Sequence, residues 1–206
     1  MKTRTIIASL VLMLMAQVAN AQDNAEALIR ILVNQMKSHK NVEMTYQYQI
    51  NNSDVTTAPE TGKGWLQGNA YKVEMVEQEI VSDGTTIWTY LIDDGEVMIS
   101  NAEDGTDNTP LKLLTSLDEN YAATLTTIDS QGNATIELAN PKGQYRRVTL
   151  RANVSKLAIN SLDVYIDDGT KLIVTMQEMK FDQELGDDFF TFDTKKHPKV
   201  DIIDMR

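Results

Sequence analysis

Apolar and polar residues along the chain keep two different periods. From Ala25, the residues Leu28, Ile29, Leu32 and Met36 recur at helical spacing and make one stripe. Asp23 to Glu26 resembles a capping box ahead of it, and Lys37, His39 and Lys40 complement its carbonyl end. The period then falls to two. Val42, Met44, Tyr46, Tyr48 and Ile50 alternate with Glu43, Thr45, Gln47 and Gln49, which predicts a strand with one buried face. Asn51 to Lys63 reads as a loop, because it is polar and holds Pro59 and Gly62. Gly64 to Gln67 reads as a short strand, Gly68-Asn69 as a turn, and Tyr71, Val73 and Met75 as a second one-sided row.

Glu79 to Asp94 reads as a hairpin turning at Asp83-Gly84, because these residues tolerate the φ > 0 that a tight turn needs. Trp88 lies in its second strand, and Glu96 to Ser100 can add a third. Asn101 to Asn108 is a polar loop. Thr109-Pro110 then offers an N-cap and a first-turn proline for a short apolar helix carrying Leu111, Leu113, Leu114 and Leu117. Five further strands follow, Thr124–Ile128, Thr135–Leu138, Tyr145–Arg151, Leu157–Ile166 and Lys171–Phe181, each bounded by turn residues. Asp187 to Phe190 reads as one helical turn, Thr191 to Asp193 as a last strand, and the tail after Pro198 as partly extended and mobile. The sum is mainly β with helices (α+β): about ten or eleven antiparallel strands in one curled sheet, with two helices to cover it.

Residues 1–21 stand apart. Lys2 and Arg4 precede the apolar run Ile6–Met15, and Ala19-Asn20-Ala21 places small residues at a cleavage site. This predicts a secretory signal peptide removed near Ala21, leaving 22–206 as a single domain. The run is too short to span a membrane. The chain has no cysteine, so disulfides, thiolate metal sites, cysteine nucleophiles and a lipid anchor on cysteine are all excluded. A net charge of −11 argues against nucleic acid and anionic membrane as non-specific partners.

The catalytic inventory is thin. The two histidines, His39 and His197, have no companions in sequence and read as structural or solvated. The pairs Asp93-Asp94, Asp167-Asp168 and Asp187-Asp188 fall in predicted turns, where aspartate caps its own backbone. No calcium loop, phosphate-binding glycine loop or nucleophile elbow is present, so the expectation is a non-enzyme with no metal and no cofactor. Met44, Met75, Met98, Met176 and Met179 lie on predicted strands; methionine serves adaptable apolar surfaces and ordinary cores alike.

Val81-Ser-Asp-Gly-Thr-Thr-Ile-Trp-Thr-Tyr90 resembles the motif of the periplasmic outer-membrane lipoprotein carriers, the LolA-like proteins. Gly64-Trp65-Leu66 through Met75 resembles the strand pair before that motif, and Asn108-Thr109-Pro110-Leu111 the start of the lid helix. Phe190 to Asp193 with Val200 to Asp204 resembles the closing segment. The resemblance implies an unclosed antiparallel β-barrel with a helical lid. It implies a carrier that holds lipoprotein acyl chains, takes them from an inner-membrane ABC transporter and passes them to an outer-membrane acceptor, as a periplasmic monomer. A module that senses lipids or lipoproteins is the alternative. Carried over by position, Val42, Met44, Tyr46, Tyr71, Val73, Met75 and Trp88 become candidate cavity residues, and Leu111 and Leu114 candidate lid residues. One departure stands out: where typical carriers have a lysine-arginine-proline turn whose arginine ties the lid shut, this chain reads Gln67-Gly68-Asn69.

Overall fold

A computed structural model describes residues 21–52, 54–102, 109–142, 145–166 and 168–206. The proposed leader and most of the 101–108 loop lie outside these. The elements run α1 (Ala21–Lys37), β1 (Val42–Asn51), β2 (Glu60–Gln67), β3 (Ala70–Glu74), β4 (Gln78–Ser82), β5 (Thr86–Leu91) and β6 (Glu96–Asn101). There follow α2 (Pro110–Asn120), β7 (Ala122–Ile128), β8 (Asn133–Ala139), β9 (Arg147–Asn153), β10 (Ala158–Tyr165), β11 (Lys171–Phe181), a 3-10 turn (Thr194–Lys196) and β12 (Asp201–Asp204). The strands form one sheet in the order β12-β6-β5-β4-β3-β2-β1-β11-β10-β9-β8-β7. Among the described residues the order ends on β12 and β7, each paired on one side only, so the sheet is unclosed, as the sequence led us to expect.

Several details differ from that expectation. The described residues form twelve strands, and the pair of β12 on β6 is parallel. α1 is already helical at Ala21, so Asp23 lies inside it and the capping box is not its start. β2 begins at Glu60 and runs through both Gly62 and Gly64. The hairpin between β4 and β5 turns one residue later than Asp83-Gly84. The Asp83 N–H donates to the Thr86 carbonyl, and Gly84 and Thr85 are the central residues. Gly84 has φ +92, the conformation that the first central position of this turn requires. The Asp83 carboxylate accepts from the N–H groups of Thr85 and Thr86. Residues 187–190 form turns, not a helix, and Thr191–Asp193 is not a strand.

The residues cluster into two compact units. One comprises Met1–Gln35 (described from Ala21), Gln49–Thr57 and Thr115–Thr175; the other comprises Met36–Tyr48, Ala58–Leu114 and Met176–Arg206. In the first, β7 to β10 and the start of β11 put most of their large apolar side chains on one face. Ala123 faces Leu138, Leu138 faces Val148, and Val148 faces Val164; Ile136 faces Leu150, which faces Leu162 and then Val174. All of these are buried, as are Ala25, Leu28, Ile29, Leu32 and Val33 of α1. The opposite face is mostly polar, with Tyr165 and Ile173 as its large apolar members. Thr149 Oγ donates to Glu137, and Arg151 makes a bidentate pair with Asp163 at 3.0 and 3.2 Å.

In the second unit, α1 hands over to β1 through a polar clasp. His39 Nδ1 lies 2.8 Å from Asp182 Oδ2, and the Lys40 N–H donates to the same carboxylate. The His39 ring stacks on Phe181 with centroids 4.2 Å apart. Asn41 exchanges hydrogen bonds with the backbone of Gln183. His39 is thus a structural residue, as expected.

Candidate functional site

The register of β1 to β6 decides which candidate residues share a face. Residues directly opposite in antiparallel strands point the same way. Val42 pairs with Leu66, Leu66 with Tyr71, Tyr71 with Ser82 and Ser82 with Ile87. One step along, Met44 pairs with Gly64, Gly64 with Val73, Val73 with Ile80 and Ile80 with Thr89. Tyr46 pairs with Gly62. Val42, Met44, Tyr46, Tyr71 and Val73 therefore form one contiguous apolar field, and all five are buried. Met75 lies one residue past β3, half-buried in the turn to β4, where its N–H donates to the Gln78 carbonyl.

Two glycines shape this field. A side chain on Gly62 would begin 2.6 Å from the Tyr46 ring. One on Gly64 would begin 3.0 Å from both δ-methyl carbons of Leu111. Glycine at these positions leaves room for an aromatic ring laid flat across β2 and for a helix seated directly on the strand. Leu111 thus occupies a notch floored by Gly64 and flanked by its register partners Met44 and Val73. Leu114 is also buried, and α2 opens as the sequence predicted. The Thr109 carbonyl accepts from Leu113 N–H, and Pro110 takes the first helical position.

Trp88 belongs to the other face. It pairs with Val81 and Ile99, while the apolar field runs through Ser82 and Ile87. It packs against the cluster of Val97, Ile99 and Phe192, as do Tyr90 and Val200. Aromatic contacts extend this cluster. His197 stacks on Phe192 with centroids 4.9 Å apart and meets Tyr90 at 4.7 Å. Further along the same face, Trp65 meets Phe189 edge-on at 5.3 Å, and its indole N–H donates to Glu43. Trp88 is therefore separated from the other candidate residues by the thickness of the sheet, beneath the segment that follows β11. The sequence reading missed Gly64, Gly62 and Leu66. A signal for the glycines was present, two of them at period two, but their partners are distant in the chain.

Polar groups rim the field at the end of β1. The Tyr48 hydroxyl donates to Glu60 at 2.5 Å and accepts from the Val76 N–H. Burial, and then the hydrogen bond to Glu60, push its phenol up to about 12. Burial chiefly, helped by Tyr48 and Glu74, pushes the Tyr46 phenol up as well. Both stay neutral at physiological pH, which suits an apolar wall. A separate cavity of about 220 Å³ lies in the other unit, lined by Glu26, Ile29, Leu117, Asp118, Glu119, Tyr121 and Ala123. None of the candidate residues reaches it. Among the described residues no group of acids and histidines is placed to hold a metal, and no helix is long and apolar enough to cross a membrane.

The family model described as outer membrane lipoprotein carrier protein LolA matches residues 72–193, more than half of the chain. The chain belongs to the LolA family. That family binds and carries; it is not an enzyme family, and it places the chain in the cell envelope. No curated protein matches the sequence. Among solved structures, an uncharacterized conserved protein of Thermus thermophilus is 9% identical, with a TM-score of 0.56, over 85% of this chain and 98% of that one. The LolA superfamily protein NE2245 of Nitrosomonas europaea is 13% identical, with a TM-score of 0.46, over 82% and 97%. The Thermus likeness shows the fold. Within that LolA-like fold, the apolar field and the Leu111 and Leu114 positions of α2 belong to the second unit.

Proposed function

We propose that this protein holds the acyl chains of lipoproteins, or of related lipids, against the field formed by Val42, Met44, Tyr46, Tyr71 and Val73, with Leu111 and Leu114 of α2 as the lid. What carries the reading is Leu111 in the Gly64 notch. Van der Waals contacts of this kind between a helix and a buried apolar surface can be exchanged for contacts with another apolar group of similar section. An acyl chain in water costs about 0.8 kcal/mol per CH₂. Exchanging α2 for that chain removes this cost without any bond being made. Where the arginine latch is missing, shape complementarity between Leu111 and Gly64 helps to keep the lid down. The carrier moves through the periplasm as a monomer and a single functional domain, once a leader ending near Ala21 has been removed. It receives cargo from an inner-membrane ABC transporter and gives it up to an outer-membrane acceptor.

The test is mass spectrometry of lipid that co-purifies with the protein from its native envelope, beside titration with a fluorescent fatty acid. Retained acyl lipid, displaced by the fatty acid and weakened by bulk at Val73 or Met44, is the expected result. Protein that carries no lipid and takes up no fatty acid would overturn the reading.

A further inference from the structure

An outermost strand presents unpaired N–H and C=O groups, a ready template for another chain. The two outermost strands of this sheet differ in how they manage that hazard. β7 is blunted by a register shift between Leu125 and Thr127, and none of the large exposed apolar side chains among the described residues lies on it. β12 has neither protection. It follows β6 in unbroken register from Asp201 to Asp204, and all four of its residues are exposed. Ile202, Ile203 and the adjoining Met205 are 53%, 42% and 57% exposed.

The direction of its free groups follows from the ladder. Asp201 N–H donates to the Gly95 carbonyl and Met205 N–H to the Ile99 carbonyl. In a parallel pair alternate residues bond the neighbour, so Ile202 and Asp204 turn their N–H and C=O to the outer edge. We propose that β12 is a docking edge on which an extended segment of a partner protein, apolar with a basic residue at one end, adds as a thirteenth strand.

Charge selects this occupant. Asp201 lies beside Glu96 in register, and its N–H is held by Gly95, next to the exposed Asp93 and Asp94. Four carboxylates thus gather at one end of the edge. At the other end Arg206 is tied to Asp204 at 2.7 Å. A second copy fits less well. Outward residues must pair with outward residues, so the register of greatest overlap sets Ile202 opposite Asp204 and Asp201 opposite Met205. No carboxylate then meets a cation, and two chains of net charge −11 repel.

The probe is a capped peptide of alternating threonine and valine led by one lysine, titrated against the full chain by NMR. Its control is the same peptide N-methylated at alternate residues. The variant is Ile202→Pro, which removes an outward N–H and leaves the bonds to β6 in place. The unmodified peptide should bind and slow hydrogen exchange at Ile202 and Asp204. N-methylation and Ile202→Pro should each weaken binding about tenfold or more. Asp201→Lys should weaken it at low salt and favour a glutamate-led peptide. If Ile202→Pro does not fold, the methylated control on the unaltered protein decides alone. Equal binding of both peptides would overturn the proposal, as would concentration-dependent protection of Ile202 without peptide, which marks a second copy. Fatty-acid uptake by Ile202→Pro should be unchanged, so this test fails or succeeds apart from the carrier reading.

Discussion

The δ-methyl carbons of Leu111 lie 3.0 Å from the point where a side chain on Gly64 would begin. This one approach joins the first turn of α2 to the middle of β2, and it sets the height of the helix above the apolar field. Gly64→Ala should move Leu111 by a few tenths of an ångström, and Gly64→Val should lift it. Overpacking of this kind costs about 1–3 kcal/mol. Urea unfolding should rank the three proteins Gly, Ala, Val in falling stability, and the valine variant should take up a fluorescent fatty acid faster. Leu111→Ala empties the notch instead and should cost about 2–5 kcal/mol. Equal stability of all these variants would mean that α2 does not rest on Gly64.

Tyr46 lies across Gly62 in the same way, with ring and hydroxyl atoms 2.6–2.9 Å from a Cβ placed there. Gly62→Ala alone should therefore destabilise by about 1–3 kcal/mol. Combined with Tyr46→Leu, which clears the ring, it should cost less than the sum of the two single changes. A double-mutant cycle measures this coupling. Additive costs would remove the ring from the account.

Trp88 tests which face takes lipid. The chain has two tryptophans, so Trp65→Phe leaves Trp88 as the reporter. A brominated fatty acid bound on the apolar field should quench Trp88 weakly, because the sheet lies between them. Phe192→Ala should instead shift its emission to the red by opening the cluster over it to water. Strong quenching by the bromo acid would place the acyl chain on the Trp88 face.

The tyrosines predict an alkaline limit. An ordinary phenol titrates near 10, whereas Tyr48 is raised to about 12 and Tyr46 is also raised. A pKa raised in the folded state contributes stability that is complete below the unfolded value and is lost as pH climbs through the folded one. Stability should hold to about pH 10 and fall between there and about pH 12. Denaturant midpoints across this range measure it. Tyr48→Phe should flatten the fall, and at neutral pH should cost about 1 kcal/mol for the bonds to Glu60 and Val76. An unchanged alkaline slope in that variant would assign the fall to other groups.

The edge at β12 and the notch at Gly64 make separate demands on the chain. The notch needs a small residue under α2. The edge needs backbone groups left unpaired. Their tests can succeed or fail one without the other.

What the sequence determined by itself was local. Alternation at Val42, Met44 and Tyr46, and the helical stripe of α1, are legible because water sorts each side chain to a face by its own polarity. Thr109-Pro110 and Gly84 are legible because a cap or a tight turn is made by a few consecutive residues. Other features depend on partners far along the chain. Gly62 reads as a loop residue and Gly64 as the start of a short strand; their role shows only when Tyr46 and Leu111 are seen above them. The face of Trp88 follows from a parity carried through three hairpins, one of which turns a residue later than its sequence suggests. β12 has no apolar alternation, because both its faces are wet; only its backbone pairing with β6 makes it a strand. Side-chain burial writes itself into sequence, whereas register and close backbone approach are properties of pairs.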